Sequence, residues 1–271
     1  MKPSEQSSDK GILSAEAGRR SFFLERFEPS EDLAAFVEFY RSVRWDLTGQ
    51  APYRQTVLSY PNVHLVFEKD SSGIHTLVYG VPKRTYTREL KDKGLVFGIK
   101  FKPGGFHPFW KRPVSRLAGL SVGAGELLGV DIGPAEERVF AEENGGGMIA
   151  GVEDFLRERA PLQDPNAEIA AQFVEAVMSD RDIAKVEDLA DRFGMNARAL
   201  QRLFSRYVGA SPKWVIQRFR LQEAAHRIQK GDVPNWSQLS HELGYDQAHF
   251  IKDFKAMIGK SPEKYAKASR L

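Results

Sequence analysis

The sequence predicts an α+β protein of two domains. Three observations carry this. The first half alternates short apolar runs with turn residues at strand spacing. The last hundred or so residues carry apolar side chains at helical spacing. Within that last part, one stretch repeats itself fifty positions further on. The expected N-terminal domain (21–160) is mixed: a small, mainly antiparallel sheet or barrel plus helices. The expected C-terminal domain (167–271) is all-α: two helix-turn-helix units, 183–210 and 233–260, joined by a linker helix. A chain of 271 residues fits two domains at about 150 residues each.

The elements follow in order. Residues 1–20 are polar and lack the apolar core of a signal peptide, so they read as a mobile tail. EDLAAFVEFY (31–40) has Leu33, Phe36, Val37 and Tyr40 at i, i+3, i+4, i+7, a short helix pattern. YRQTVLSY (53–60), NVHLVFE (62–68), IHTLVYG (74–80) and LVFGIKF (95–101) read as strands. Asp70-Ser71-Ser72-Gly73 and Lys91-Asp92-Lys93-Gly94 read as hairpin turns. Pro103-Gly104-Gly105 ends the strands, and PAEERVFAEEN (134–144) and MIAGVEDFLRER (148–159) follow as helices. Pro161 and Asp164-Pro165 put the domain boundary near 160–167.

The repeat is the strongest signal. VEDLADRFGMNARALQRLFSRYVGASPKWV (186–215) lies without gaps over WSQLSHELGYDQAHFIKDFKAMIGKSPEKY (236–265). Identical pairs are Leu189/Leu239, Gly194/Gly244, Phe204/Phe254, Gly209/Gly259, Ser211/Ser261 and Pro212/Pro262. In the first copy a short helix buries Val186, Leu189, Ala190 and Phe193. Gly194 ends it and Asn196 caps a second helix, which buries Leu200, Leu203, Phe204 and Tyr207. In the second copy Gly244 and Asp246 take those roles, and Phe250, Phe254, Met257 and Ile258 are the buried side chains. A helix, a tight glycine turn and a second helix form the helix-turn-helix pattern. SPKWVIQRFRLQEAAHRIQKG (211–231) reads as a rigid helical spacer. It would allow the two second helices to enter successive major grooves, about 34 Å apart.

The opposite faces of those second helices point to nucleic acid. Arginine pairs bidentately with guanine and glutamine with adenine. The expected DNA-binding set is Arg198, Gln201, Arg202, Ser205 and Arg206, then Gln247, Ala248, Ile251 and Lys252. The second face is poorer in donors, so the first is expected to carry most of the discrimination. Charge agrees. From Glu168 onward there are 17 Lys+Arg against 13 Asp+Glu, a surplus of 4. The rest of the chain holds 22 against 23. Between Arg192 and Lys230 nine basic residues face one acid, Glu223, an electrostatic footprint for a polyanion.

ALQRLFSRYVGASPKWV and DQAHFIKDFKAMIGKSPEKY resemble the two signature stretches of the AraC/XylS family of bacterial regulators. The resemblance covers about 167–271 and implies two DNA-binding subdomains on one linker helix. One departure stands out: Gly244-Tyr245-Asp246 is contiguous, where family members usually carry one more residue. RSVRWDL, YPNVHLVFE, VFGIKFKPGGFHPFW and PVSRLAG resemble the uncharacterised N-terminal domain of one subgroup of such regulators. In the wider family N-terminal domains bind effectors or dimerise, often in a cupin-like barrel. The implied partners are double-stranded DNA, a small-molecule effector, a second copy through the N-terminal domain, and RNA polymerase.

Other chemistry finds little footing. With no cysteine, disulfides, thiolate metal sites and thiol nucleophiles are excluded. His64 and Glu68 share a strand face and, with His107, would be the only metal candidates. No HxH or HExxH spacing supports them, and His75 and His107 read as polar edge residues. Arg44, Trp45, His64, Glu68 and Lys100 are the effector-pocket candidates, with Trp110 beside them, because pockets pair aromatic walls with a few polar groups. No P-loop, dinucleotide fingerprint or nucleophile elbow is present, so neither cofactor nor catalysis is expected. No apolar run reaches membrane-span length; a cytoplasmic address is expected. Two other classes stay open: an enzyme domain fused to a DNA-targeting module, and an architectural DNA binder without ligand.

Overall fold

The computed structural model describes residues 21–57, 60–83, 86–142, 144–159, 161, 164–233 and 235–269. The tail expected over 1–20 lies outside them. The chain divides into two compact units, Met1–Ala171 with Ser205–Gly209, and Gln172–Phe204 with Ala210–Leu271.

In the first unit the strands are β1 (Phe23–Phe27), β2 (Val37–Leu47), β3 (Tyr53–Val57), β4 (His64–Asp70), β5 (Gly73–Tyr79), β6 (Tyr86–Leu90), β7 (Asp92–Phe101) and β8 (Ser121–Gly123). Six of them form an antiparallel sheet in the order β1-β2-β7-β4-β5-β8; β3 and β6 form a separate antiparallel ribbon. The sheet is open, with β1 and β8 at its edges. The helices are α1 (His107–Trp110), α2 (Ala124–Leu128), α3 (Gly133–Phe140) and α4 (Gly145–Arg157). Period-two alternation gives each strand two faces. On one, Tyr40, Leu65, Phe67, Phe97, Ile99 and Phe101 pack against Val139, Met148, Val152, Phe155 and Leu156 of the helices. On the other, Trp45, Val66 and Val96 pack against Leu90 and Tyr53 of the ribbon.

Two expectations are overturned here. Residues 31–40 are not a helix: Glu31–Phe36 form turns and β2 begins at Val37. All four apolar residues are buried as the spacing required, Leu33, Phe36, Val37 and Tyr40, but two successive turns closing on Ser30 and Leu33 bury them as well as a helix would. Nor is Lys91–Gly94 a hairpin. β6 pairs with β3 and β7 with β2, so the chain leaves the ribbon at Lys91 and enters the sheet at Asp92, whose φ is +51°. The Asp70–Gly73 hairpin is present, with Asp70 opposite Gly73.

The C-terminal helices are α5 (Pro165–Ser179), α6 (Val186–Arg192), α7 (Ala197–Leu203), α8 (Pro212–Lys230), α9 (Trp236–Glu242), α10 (Gln247–Ile258) and α11 (Pro262–Ser269). The fifty-residue repeat is a structural repeat. Gly194 and Gly244 both take left-handed φ, +62° and +74°, as do Gly209 and Gly259. Asn196 and Asp246 cap α7 and α10 through their side chains. Leu189/Leu239, Leu200/Phe250 and Phe204/Phe254 are each fully buried. The copies part at one place: α7 continues as a π-helical turn over Phe204–Val208, whereas α10 stays α-helical to Ile258.

Candidate nucleic-acid interface

On α7 the residues opposite the buried Leu200 and Phe204 are exposed: Arg198, Gln201 and Arg202. Asn196 Oδ1 accepts from Ala199 N at 2.8 Å, which fixes where this helix starts and so which side chains lie near its N-terminal end. Arg198 and Arg202 have no ion-pair or hydrogen-bond partner among the described residues. On α10 the exposed face holds Gln247, Ala248 and Lys252, with Ile251 half-buried. Asp246 caps this helix by accepting from Ala248 N and His249 N, at 3.0 and 3.1 Å, and also meets the His249 ring. The backbone N–H of His249 and its ring hold the Asp246 carboxyl below the usual range. The contiguous Gly244-Tyr245-Asp246 turn therefore still delivers a capped helix. Lys255, exposed one turn beyond Lys252, extends this face. It was not among the sequence candidates, although its i, i+3 spacing from Lys252 was there to read.

Ser205 and Arg206 lie elsewhere. Both belong to the first compact unit, where Ser205 Oγ donates to Ser115 Oγ at 3.0 Å and Arg206 Nε donates to His107 Nε2 at 3.1 Å. His107 is buried rather than an edge residue. Burial and the neighbouring Arg206 push its imidazole down, against a weaker pull from Asp164.

The basic window is partly spent on internal bonds. Arg220 is buried and donates to the carbonyls of Asp180 and Ile183 at 2.7 and 2.8 Å. Arg218 is buried on the same helix, Arg192 pairs with Asp180 at 2.7 Å and Arg227 with Glu242 at 2.7 Å. What remains exposed is Arg198, Arg202, Lys213 and Lys230, with Arg206 as described. A cleft of about 460 Å³ opens between the two helix-turn-helix copies, with Lys185, Lys213, Arg220, Tyr245 and His249 among its walls.

In the first unit the effector candidates divide. Arg44 and Trp45 are neighbours on β2 and so point to opposite faces; they cannot line one pocket. Trp45 is core, packed with Val66 and Leu90 and donating Nε1–H to Lys91 O at 3.0 Å. Arg44 Nε and Nη2 are buried without a hydrogen-bond partner among the described residues. Glu68 accepts from both terminal nitrogens of Arg88, at 2.8 and 2.9 Å, and from Tyr79 Oη at 3.0 Å, a structural clamp between sheet and ribbon. His64 and Lys100 stand directly opposite each other in the β4–β7 ladder. Trp110 packs against Phe106. Among the described residues no three His, Asp or Glu side chains gather as a metal-binding set, and no helix is long and apolar enough to cross a membrane.

Comparison with known proteins gives matches over parts of the chain. A family described as a helix-turn-helix domain matches residues 189–268, across both copies. This region is similar to the helix-turn-helix domain of known transcriptional regulators. A second family, described only as a domain of unknown function (DUF6597), matches residues 25–123. The transcriptional activator RhaS of Pectobacterium carotovorum subsp. carotovorum is 33% identical over 76 residues, 28% of this chain and 27% of RhaS. RhaS of Escherichia fergusonii is 29% identical over 111 residues, 40% of each. The chain thus spans only about a quarter to two-fifths of the length of these relatives. Among solved structures, a probable AraC family transcriptional regulator from Rhodopseudomonas palustris is 25% identical with TM-score 0.33, covering 37% of this chain and 95% of that one. ToxT from Vibrio cholerae is 12% identical with TM-score 0.39, covering 91% and 98%. The two RhaS relatives named above are transcriptional activators.

Proposed function

We propose that this chain is a sequence-specific DNA-binding transcriptional regulator. Its helix-turn-helix copies read adjacent major grooves, and its N-terminal unit binds a small-molecule effector. One observation carries the DNA reading: α7 presents Arg198, Gln201 and Arg202 side by side, exposed, on a helix whose start is fixed by a side-chain cap. These side chains match guanine and adenine edges. Gln247, Lys252 and Lys255 on α10 form the second, plainer contact.

Footprinting on the promoter upstream of the chain's own gene tests this, followed by fluorescence anisotropy on the protected fragment against scrambled DNA. Expected are a protected site of two half-sites one helical turn apart and a steep loss of affinity with salt. Equal affinity for scrambled DNA would leave an architectural binder; a flat salt response would remove the electrostatic contact altogether.

A further inference from the structure

On the ribbon-facing side of the six-stranded sheet, two neighbouring rows gather positive charge. In one, Arg26 of β1 stands directly opposite Arg41 of β2, and Arg41 opposite Gly98 of β7. In the next, Phe39 stands opposite Lys100, and Lys100 opposite His64. Residues two apart on a strand share a face, so the three cations and the imidazole occupy one patch. Like charges directly opposite in a ladder are unfavourable; burial and Arg41 lower the Arg26 guanidinium's hold on its proton, and Glu38 and Glu28 act against that. Lys100 Nζ has Glu38 at 2.9 Å, and Glu38 is also held by Asn62 Nδ2 at 3.2 Å. The charges acting on His64, by contrast, are both positive, Arg41 and Lys100, and with burial they push its imidazole down.

The patch also has walls and a floor. The Arg26 guanidinium lies 3.8 Å over the Phe39 ring, and Lys100 Nζ lies 5.0 Å from that ring and 4.5 Å from the Tyr60 ring. Gly98 leaves the centre without a side chain; a Cβ built there would meet nothing nearer than 3.9 Å. Cations around a bare glycine floor, beside two aromatic rings, are complementary to a negatively charged head on a short apolar body.

We propose that the face formed by Arg26, Arg41, His64 and Lys100, with Phe39 and Tyr60 beside it, binds a small organic anion. The acidic head, carboxylate or phosphate, lies between Arg41 and Lys100 over Gly98. This deepens the proposed effector-binding reading of the N-terminal unit and rests on it.

The test is thermal unfolding of the full chain at constant ionic strength with benzoate, phenyl phosphate or benzamide. At least one anion should raise the midpoint, by roughly 3–5 °C at ten times its Kd, while neutral benzamide leaves it unchanged. Which anion acts identifies the head. Arg41→Met and Lys100→Met should each remove most of that rise. Lys100→Met also breaks the Lys100–Glu38 pair, so the rise in each variant is read against that variant's own ligand-free midpoint in chloride buffer. A benzamide shift equal to benzoate's, no shift with either anion, or a full shift in both variants overturns the site. DNA anisotropy in the same solutions separates the two readings. An anion that binds through Arg41 and Lys100 without changing DNA affinity leaves the site standing and removes the sensing role. DNA affinity that responds to benzamide but to neither anion overturns the site and leaves sensing intact.

Discussion

Gly194 and Gly244 hold the same left-handed backbone at equivalent points of the two helix-turn-helix copies, φ +62° and +74°. Around Gly194 a Cβ would meet no atom within 4 Å, and at Gly244 only Ala184 Cβ at 3.5 Å. The requirement is therefore conformational, not steric. Gly194→Ala and Gly244→Ala should each cost about 1–2 kcal/mol in urea unfolding. A cost near zero at either position would show that its turn relaxes.

Arg202 is the exposed arginine on the capped α7 face that lies next to Gln201. Arg202→Ala should weaken binding to the protected site by about 1–3 kcal/mol and relax preference at a single base position. Binding to a set of singly substituted sites checks this. An equal fall across all of them would make Arg202 a phosphate contact.

His64 carries a pH dependence with a definite sign. The unfolded imidazole takes up its proton near 6.5; burial, Arg41 and Lys100 hold the folded one well below that value. Below about pH 6.5 the unfolded chain binds a proton that the folded chain refuses, so stability present above that pH is lost as pH falls. His64→Gln should flatten the slope of unfolding free energy by up to about 1.4 kcal/mol per pH unit. His107, also pushed down, keeps the remaining slope from vanishing. An unchanged slope in the variant would mean that His64 is hydrated enough to titrate normally.

Glu68 accepts three hydrogen bonds, two from Arg88 that tie the ribbon to the sheet and one from Tyr79 within the sheet. Glu68→Ala should cost about 2–3 kcal/mol, the range for hydrogen bonds to a charged group. Glu68→Gln should cost less, since its carbonyl still accepts from Tyr79. A loss below about 1 kcal/mol on urea unfolding of Glu68→Ala would show the clamp to be screened by solvent.

The C-terminal half was legible because its signal is written twice. Leu189, Gly194 and Phe204 each had a counterpart fifty positions on, and every matched pair landed in the same role. The N-terminal half had no such check. Leu33, Phe36, Val37 and Tyr40 obey helical spacing, yet turns followed by a strand bury all four; periodicity reports burial, and over so short a stretch burial does not select the backbone. A break between strands was legible at Lys91–Gly94, but it is the single residue Lys91, and which strands it separates is set by pairings of β6 with β3 and β7 with β2. Arg44 and Trp45 were grouped by residue type, and strand alternation divides them. Counting bases between Arg192 and Lys230 overstated the free charge, because Arg218 and Arg220 are buried and composition does not show which arginines are structural.

Arg220 grips the carbonyls of Asp180 and Ile183 from within α8, so the spacer is bolted to the approach of the first helix-turn-helix. A DNA reader built this way behaves as a ruler with fixed graduations. Its spacer of 19 residues is about 28 Å long and does not stretch. One extra base pair between the half-sites would swing the far half about 35° around the duplex, out of step with a protein that has little twist to offer in return. On the DNA-reading function proposed above, tolerance of spacing changes in the operator is set less by the residues that touch bases than by Arg220, held on the carbonyls of Asp180 and Ile183.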